Sequence, residues 1–282
     1  MENGLTGIDH AILAVPDLDR ARMGWSRLGF TIGPRGRHPG LATGNYCILF
    51  ERDYIELLGL ADPGGDKGAL VRFLAPYGLT GLAWGTADAE ATHTALARNG
   101  IATPPPTALS RQIELEEDTA LLRFRVFPLP EPAMPGLPSL ICQHLTPDLL
   151  RRPVWTQHRN GITGLAGAVA IIADPASLIP ACEQLFGAGK VTLTAHGLRV
   201  QCGGHDLRLV SPQDFAALYP EIPLPSRPPP FLAGLRLETA EPGVTADYCA
   251  QWQIAFTELP DGGLAIPPEE TGGTMLEIVP KR

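Results

Sequence analysis

The chain offers little to a nucleic acid, a bilayer or an oxidising compartment. Its 282 residues carry 22 Lys and Arg against 30 Asp and Glu, a formal net charge of −8. The arginines are scattered singly, and the densest group is Arg151 with Arg152. Without a basic stripe, neither nucleic acid nor an anionic membrane is expected as a partner. Long apolar runs are absent too. Leu165 to Ala173, the most apolar stretch, is far shorter than the roughly 20 residues that a bilayer requires. No charged-then-apolar leader opens the chain, so a cytoplasmic protein is expected. The five cysteines, Cys47, Cys142, Cys182, Cys202 and Cys249, form no CxxC pair. That pattern argues against a structural zinc knot and for buried free thiols. What remains is 44% apolar and 18% charged. This is the composition of a folded chain with room for one large domain or two ordinary ones.

The opening stretch, GIDHAILAVPDLDRARMGWSRLGF, shows how the fold is written. Ile8, His10, Ile12 and Ala14 alternate with Asp9, Ala11, Leu13 and Val15, the period of a strand, so His10 shares a face with Ile12. Asp17 suits a helix cap, and Arg20, Met23, Gly24, Arg27 and Leu28 follow at helical spacing. Gly29 ends the helix. Short strands follow at Thr31 to Gly33, Gly44 to Phe50 and Tyr54 to Leu58, the last two joined by a turn at Glu51 to Asp53. The unit is β-α-β-β-β.

The unit recurs. From Gly78, Gly7 falls on Gly78, Asp17 on Asp88 and Gly29 on Gly100. A third copy begins at Gly164, with Asp174 in the place of Asp17, and a weaker fourth spans Phe231 to Phe256. One small sheet with one helix cannot bury both of its faces, so copies must pair. The polar segment Thr146 to Asn160 separates two pairs, and the proline-rich segment Pro212 to Pro230 reads as a linker inside the second. The glycine tracts GGDKG and DGGLAIPPEETGG lack the strand, the Ser or Thr after lysine, and the helix of a phosphate loop.

Four such modules, with DHAILAVPDLDRA and LGF at the start and YIELL at the end of the first, resemble the vicinal oxygen chelate superfamily. That group contains glyoxalase I, extradiol dioxygenases and bleomycin-resistance-type binding proteins; the narrower resemblance is to bacterial glyoxalase-like domain proteins. It implies an α+β fold of four βαβββ modules, paired into two cupped mixed sheets with helices outside. The first domain would cover residues 1–150 (modules 1–60 and 76–146) and a degenerate second residues 160–282 (modules 161–211 and 230–282).

The resemblance also carries over a site. His10 becomes the metal ligand of the first strand, and Glu56, in DYIELLG, that of the last strand and a candidate proton carrier. The partner module departs from the pattern. Gly81 falls on His10, as do Gly167 and Gly234 in the later copies. The last strand of the second module, SLICQHLTP, offers Gln143 or His144, which as neighbours point to opposite faces unless the strand ends there. One or two imidazoles with one carboxylate, leaving open positions, suit Zn, Fe(II), Mn, Ni or Co. The bland alternative is a buried core histidine paired with Glu56 across strands.

Other residues complete the expected site. The run CQHLTPDLLRRPVWTQHRNG resembles the junction of glyoxalase-like proteins, and its part from Arg151 to Gly161, as a loop over the first cup, would bring Arg152, Trp155 and His158 to a substrate. Tyr46 and Trp84 are expected to alternate inward. His38 reads as a surface residue, and His93, His196 and His205 as structural or solvent-facing. In the third module Arg208 matches Glu56, which removes a metal ligand there. The expected function is a metal-dependent isomerase, lyase or dioxygenase acting on a small carbonyl- or oxygen-bearing molecule. A metal-free small-molecule binding or resistance protein is the alternative. A second copy of the chain is a further candidate partner.

Overall fold

The computed structural model describes residues 3–116 and 118–281. The first module runs β1 (Leu5–Ala14), α1 (Leu18–Arg27), β2 (Gly36–Arg37), β3 (Thr43–Leu49) and β4 (Tyr54–Leu60). The second runs β5 (Gly78–Thr86), α2 (Ala89–Arg98), β6 (Thr107–Glu114), β7 (Thr119–Pro128) and β8 (Ser139–His144). Local chemistry sets the helix starts. Asp17 Oδ1 accepts the Arg20 N–H at 2.9 Å, and Asp88 Oδ1 the Ala91 N–H at 3.0 Å. Gly29 stops α1 at φ +91°, and a Cβ there would lie 2.8 Å from the Tyr248 ring.

In each module the first and last strands pair in parallel, with Ile12 opposite Glu56 and Ala83 opposite Leu140. β1 and β5 then pair antiparallel. The cup of the first two modules curls round until it closes as a barrel, β1-β4-β3-β2-β6-β7-β8-β5. The closing piece is β2, two residues long, which pairs with β3 on one side and β6 on the other.

After the short helix α3 (Pro153–Thr156), β9 (Ile162–Ile171), α4 (Ile179–Phe186), β10 (Val191–Thr194), β11 (Gly197–Cys202) and β12 (His205–Val210) form the third module. Next come α5 (Pro212–Leu218), β13 (Phe231–Thr239), α6 (Pro242–Gln251), β14 (Thr257–Glu258), β15 (Leu264–Ile266), α7 (Pro268–Thr271) and β16 (Met275–Pro280). Their strands make one open sheet, β10-β11-β12-β9-β13-β16-β15-β14. The class is mixed α+β: two eight-stranded mixed sheets of paired modules with helices around them.

One apolar cluster joins the two sheets. Ile8, Ala11, Leu13 and Trp84 of the barrel pack in it with Leu165, Ala168, Leu235 and Leu237 of the second sheet. His205 pins the seam between them. Its Nδ1 accepts the Ile8 N–H at 3.1 Å, and its Nε2 contacts Asp53 Oδ2 at 3.1 Å, while Asp53 Oδ1 accepts the Leu165 N–H at 2.9 Å.

The other face of the second sheet is filled. The segment after Ser211, read from sequence as a linker, folds as α5 and lays Phe215, Tyr219 and Ile222 against Val169, Ile171, Phe231 and Met275. Its prolines break strand pairing but leave its aromatic side chains free to fill a concave surface. All five cysteines are free and buried. Among the described residues no helix is long and apolar enough to cross a membrane.

Candidate functional site

Two residues of β1 turn into the barrel where simple alternation allows one. The register with β5 slips between Ile8 and His10, a bulge that puts Asp9 and His10 both inside. Asp9 Oδ1 lies 2.6 Å from His10 Nδ1 and 3.0 Å from His144 Nε2. Burial pushes the Asp9 carboxyl up, but the two histidines outweigh it and hold the group well below the usual carboxylate range. An ionised carboxylate only accepts, so both imidazoles donate to it. For His10 that leaves Nε2 turned to the cavity, 3.7 Å from Glu56 Oε2. The Tyr54 ring stacks on His10 at 4.4 Å between centroids.

Glu56 is buried on β4. Asn45 Nδ2 donates to its Oε1, and Arg111 Nη1 stands 3.8 Å from the same oxygen. Burial raises the Glu56 carboxyl, but His10, His38, Arg111 and Asn45 together bring it below the ordinary value. Arg111, on β6, is 2% exposed; its Nη1 donates to Cys47 Sγ at 3.2 Å, and its Nε and Nη2 have no hydrogen-bond partner. His38 is 5% exposed, with Nδ1 2.9 Å from Thr43 Oγ1, and burial lowers its pKa. His10, His38, Glu56 and Arg111, with Tyr54, Phe124 and aliphatic side chains around them, line a cavity of about 30 Å³. That is room for one or two waters.

The structure brings His10 and Glu56 to one cavity and disperses most of the other residues singled out in the sequence. Gln143 points away from it: Oε1 accepts the Ala89 N–H at 3.0 Å and Nε2 donates to the Ala87 carbonyl at 2.7 Å, tying down the start of α2. The pleat dictates this, since Cys142 and His144 take the inward positions. His144 is committed to Asp9. The position facing Ala83, as Glu56 faces Ile12, belongs to Leu140, which is no ligand. Tyr46 turns outward, its hydroxyl donating to Asp19 at 2.9 Å. Trp84 also turns outward, against Phe186 at 4.7 Å between centroids. Both lie one residue out of phase with the inward Cys47 and Ala83.

No residue of the Arg151–Gly161 segment lines the cavity either. Arg152 stacks on Trp155 at 5.0 Å, and Trp155 packs against the apolar cluster that includes Leu49, Leu150, Tyr54 and Phe124. His158 is a staple: its Nδ1 accepts the Thr31 N–H at 3.0 Å and its Nε2 donates to the Leu49 carbonyl at 3.0 Å. Burial lowers its pKa to about 4, so it stays neutral. It borders a separate open cleft of about 550 Å³ with Glu51, Arg151 and Lys281.

Sequence reading missed Asp9, His38 and Arg111. Only Arg111 left a signal, as the charged member of the alternation Leu109, Arg111, Ile113. Among the described residues, the three donors that lie within 4.8 Å of one another are those of Asp9, Cys142 and His144.

The second sheet repeats the geometry with different chemistry. Arg208 and Glu277 stand opposite Val169 and Arg236, as Glu56 stands opposite Ile12. They pair with each other: Arg208 Nη1 donates to Glu277 Oε1 at 3.2 Å, while Arg236 Nε at 2.9 Å and the Tyr219 hydroxyl at 2.7 Å donate to Oε2. A Cβ on Gly167 would lie 1.8 Å from the Asp206 carbonyl oxygen, so no histidine fits there without moving the strand.

A closed barrel of two βαβββ modules with a histidine and a glutamate facing one interior cavity defines a glyoxalase-like protein. The chain belongs to the glyoxalase-like domain family, which matches residues 8–186. No curated protein matches it. Among solved structures, it is similar to a hypothetical protein from Staphylococcus aureus, at 12% identity over 97% of this chain and 99% of that one, with a TM-score of 0.67. It is also similar to a mutant of 4-hydroxymandelate synthase from Streptomyces coelicolor, at 13% identity over 98% and 93%, with a TM-score of 0.60. A third is a xylose isomerase-like TIM barrel/4-hydroxyphenylpyruvate dioxygenase fusion protein, at 13% identity and a TM-score of 0.54; it is covered over 49% of its length by 99% of this chain. Likeness at such identities establishes the fold.

Proposed function

We propose that the chain is a metal-dependent enzyme of glyoxalase-like type, acting on a small carbonyl- or oxygen-bearing organic molecule inside the first barrel. The observation that carries this reading is the pair His10 Nε2 and Glu56 Oε2, 3.7 Å apart across the cavity. Two donors each about 2.1 Å from one divalent ion fit that spacing. Asp9 holds the His10 ring with its lone pair toward the cavity, the carboxylate–histidine support typical of metal ligands. His10 and Glu56 would therefore hold a divalent ion of the Zn, Fe, Mn, Ni or Co kind, which when bound polarises substrate oxygens. The remaining work belongs to the chain's own groups. Asn45 donates to Glu56, and His38, whose pKa burial lowers, lines the same cavity and is the candidate proton carrier. With Leu140 and Gly81 in place of further ligands, isomerase or lyase chemistry next to a carbonyl suits the site better than oxygenation, which calls for three protein ligands.

We take residues 1–150 as the working domain and 160–282 as a packed support whose own site is closed by the Arg208–Glu277 pair and Tyr219. A metal-free binding protein is the second reading. It is favoured by Arg111, a buried cation already beside Glu56, and by Phe73, whose ring lies 2.5 Å from where a Gly81 side chain would begin. Elemental analysis of wild type, His10→Ala and Glu56→Ala after loading with each metal separates the two. The enzyme reading expects about one ion in wild type and loss in both variants. Equal content in all three refutes it, and none in any supports the binder.

A further inference from the structure

We propose that Arg111 is a carboxylate anchor, and that the substrate of the barrel is a small organic carboxylate whose two oxygens pair with the Nε–Nη2 edge of this guanidinium. The inference rests on reading the barrel cavity as the substrate site and adds the substrate class.

Arginine is among the residues least often buried without a partner. Here one is 2% exposed on a barrel strand, aimed at a cavity lined mostly by apolar groups. Its partners satisfy one end only. Nη1 faces Cys47 Sγ at 3.2 Å and Glu56 Oε1 at 3.8 Å, too long for a direct hydrogen bond to the carboxylate. Burial pushes the Cys47 thiol up to about 12, so that contact is neutral. The faces of the guanidinium are covered by Tyr54 and Phe124, whose ring centroids lie 5.6 and 5.5 Å away. The Nε and Nη2 hydrogens have no acceptor. Two parallel N–H groups on one edge of a planar cation match the two oxygens of a carboxylate. Leaving such donors unmet in a buried site is costly, which is the signature of a place kept for a ligand.

Charge agrees with this. Glu56 is the anion nearest to Arg111, with Oε1 3.8 Å from Nη1, and a divalent ion on His10 and Glu56 would draw on that carboxylate and leave the guanidinium to an anionic ligand. Size limits the ligand. The cavity of about 30 Å³ takes little more than the carboxylate itself. The body of the ligand must displace Leu70 or His38, the two lining residues that are not on barrel strands.

The test titrates metal-loaded protein with acetate, pyruvate and benzoate and with their neutral amides, by calorimetry and thermal shift. The carboxylates are expected to bind at least tenfold more tightly than the amides. Arg111→Lys, which keeps the charge and loses the fork, should weaken carboxylate binding at least tenfold while leaving metal content unchanged. Equal affinity for acid and amide in wild type, no saturable binding of any of the three acids, or wild-type affinity in Arg111→Lys would each overturn the proposal. If Arg111→Lys does not fold, the acid–amide comparison on wild type decides. Metal content on the same samples keeps the outcomes apart. Protein that takes no metal yet binds acids through Arg111 retains the anchor and loses the metal reading. Protein that takes metal and binds acids equally well in Arg111→Lys does the reverse.

Discussion

Asparagine at position 9 isolates a single charge. Both imidazoles in contact with Asp9 use the same oxygen, Oδ1, at 2.6 Å from His10 and 3.0 Å from His144. The amide oxygen of Asp9→Asn can occupy that place and accept both bonds, so the change removes charge with little change of shape. Hydrogen bonds to an ionised group contribute about 1.5–3 kcal/mol each and neutral ones roughly half as much. Two bonds therefore lose about 2 kcal/mol together, near 5 °C of Tm for a chain of this size. Asp9→Ala orphans both N–H groups in the barrel and should cost about 3–5 kcal/mol.

The pH dependence is the sharper test. The folded-state pKa of Asp9 lies below its unfolded value of 3.8. Its contribution is therefore complete above that value and lost as pH falls through the folded one. Urea midpoints of wild type and Asp9→Asn, measured from pH 7 to pH 2, should lie furthest apart at neutral pH and converge in acid. Groups that do not touch Asp9 titrate alike in both proteins and cancel, so the decisive part of the comparison is the range below the unfolded value of 3.8. A gap that stays constant from neutral to acid would refute the claim that Asp9 is an ionised acceptor for two histidines.

Two further outcomes follow from His158 and from the second sheet. His158 has a folded pKa of about 4 against 6.5 unfolded, so stability should fall as pH drops through that window, by up to about 3 kcal/mol. His158→Gln should flatten this part of the urea-midpoint profile, and proton NMR should place the imidazole titration near the lower value. Glu277 is 1% exposed and accepts from Arg208, Arg236 and Tyr219. Glu277→Ala should destabilise by about 3–5 kcal/mol through the uncompensated cations, read by urea denaturation, with metal content unchanged.

Signals that are local in sequence carried much of the fold. Asp17, Asp88 and Gly29 mark helix ends by short-range chemistry, and the recurrence of the unit called for paired sheets. What escaped depends on partners distant in sequence. Strands β3 and β5 are buried along their whole length, so alternation separates two faces without saying which is the interior. For that reason Tyr46 and Trp84 take the face opposite to the one alternation suggests. Asp9 comes inside only through a bulge, and a bulge leaves no mark in composition. The role of the proline-rich segment was hidden because its aromatic residues respond to a concave surface built by strands on either side of it. His10 and Glu56 reach the same cavity because parallel pairing of β1 with β4 is a property of the module itself.

The ring that holds this cavity is not uniformly strong. Strands β6 and β7 run together over eight aligned positions, whereas β2 contributes two to each neighbour. Thermal breathing concentrates where the fewest backbone bonds must part, and His38 directly follows that seam. The weakest stitch in the wall and the imidazole nearest to it are thus one piece of chain.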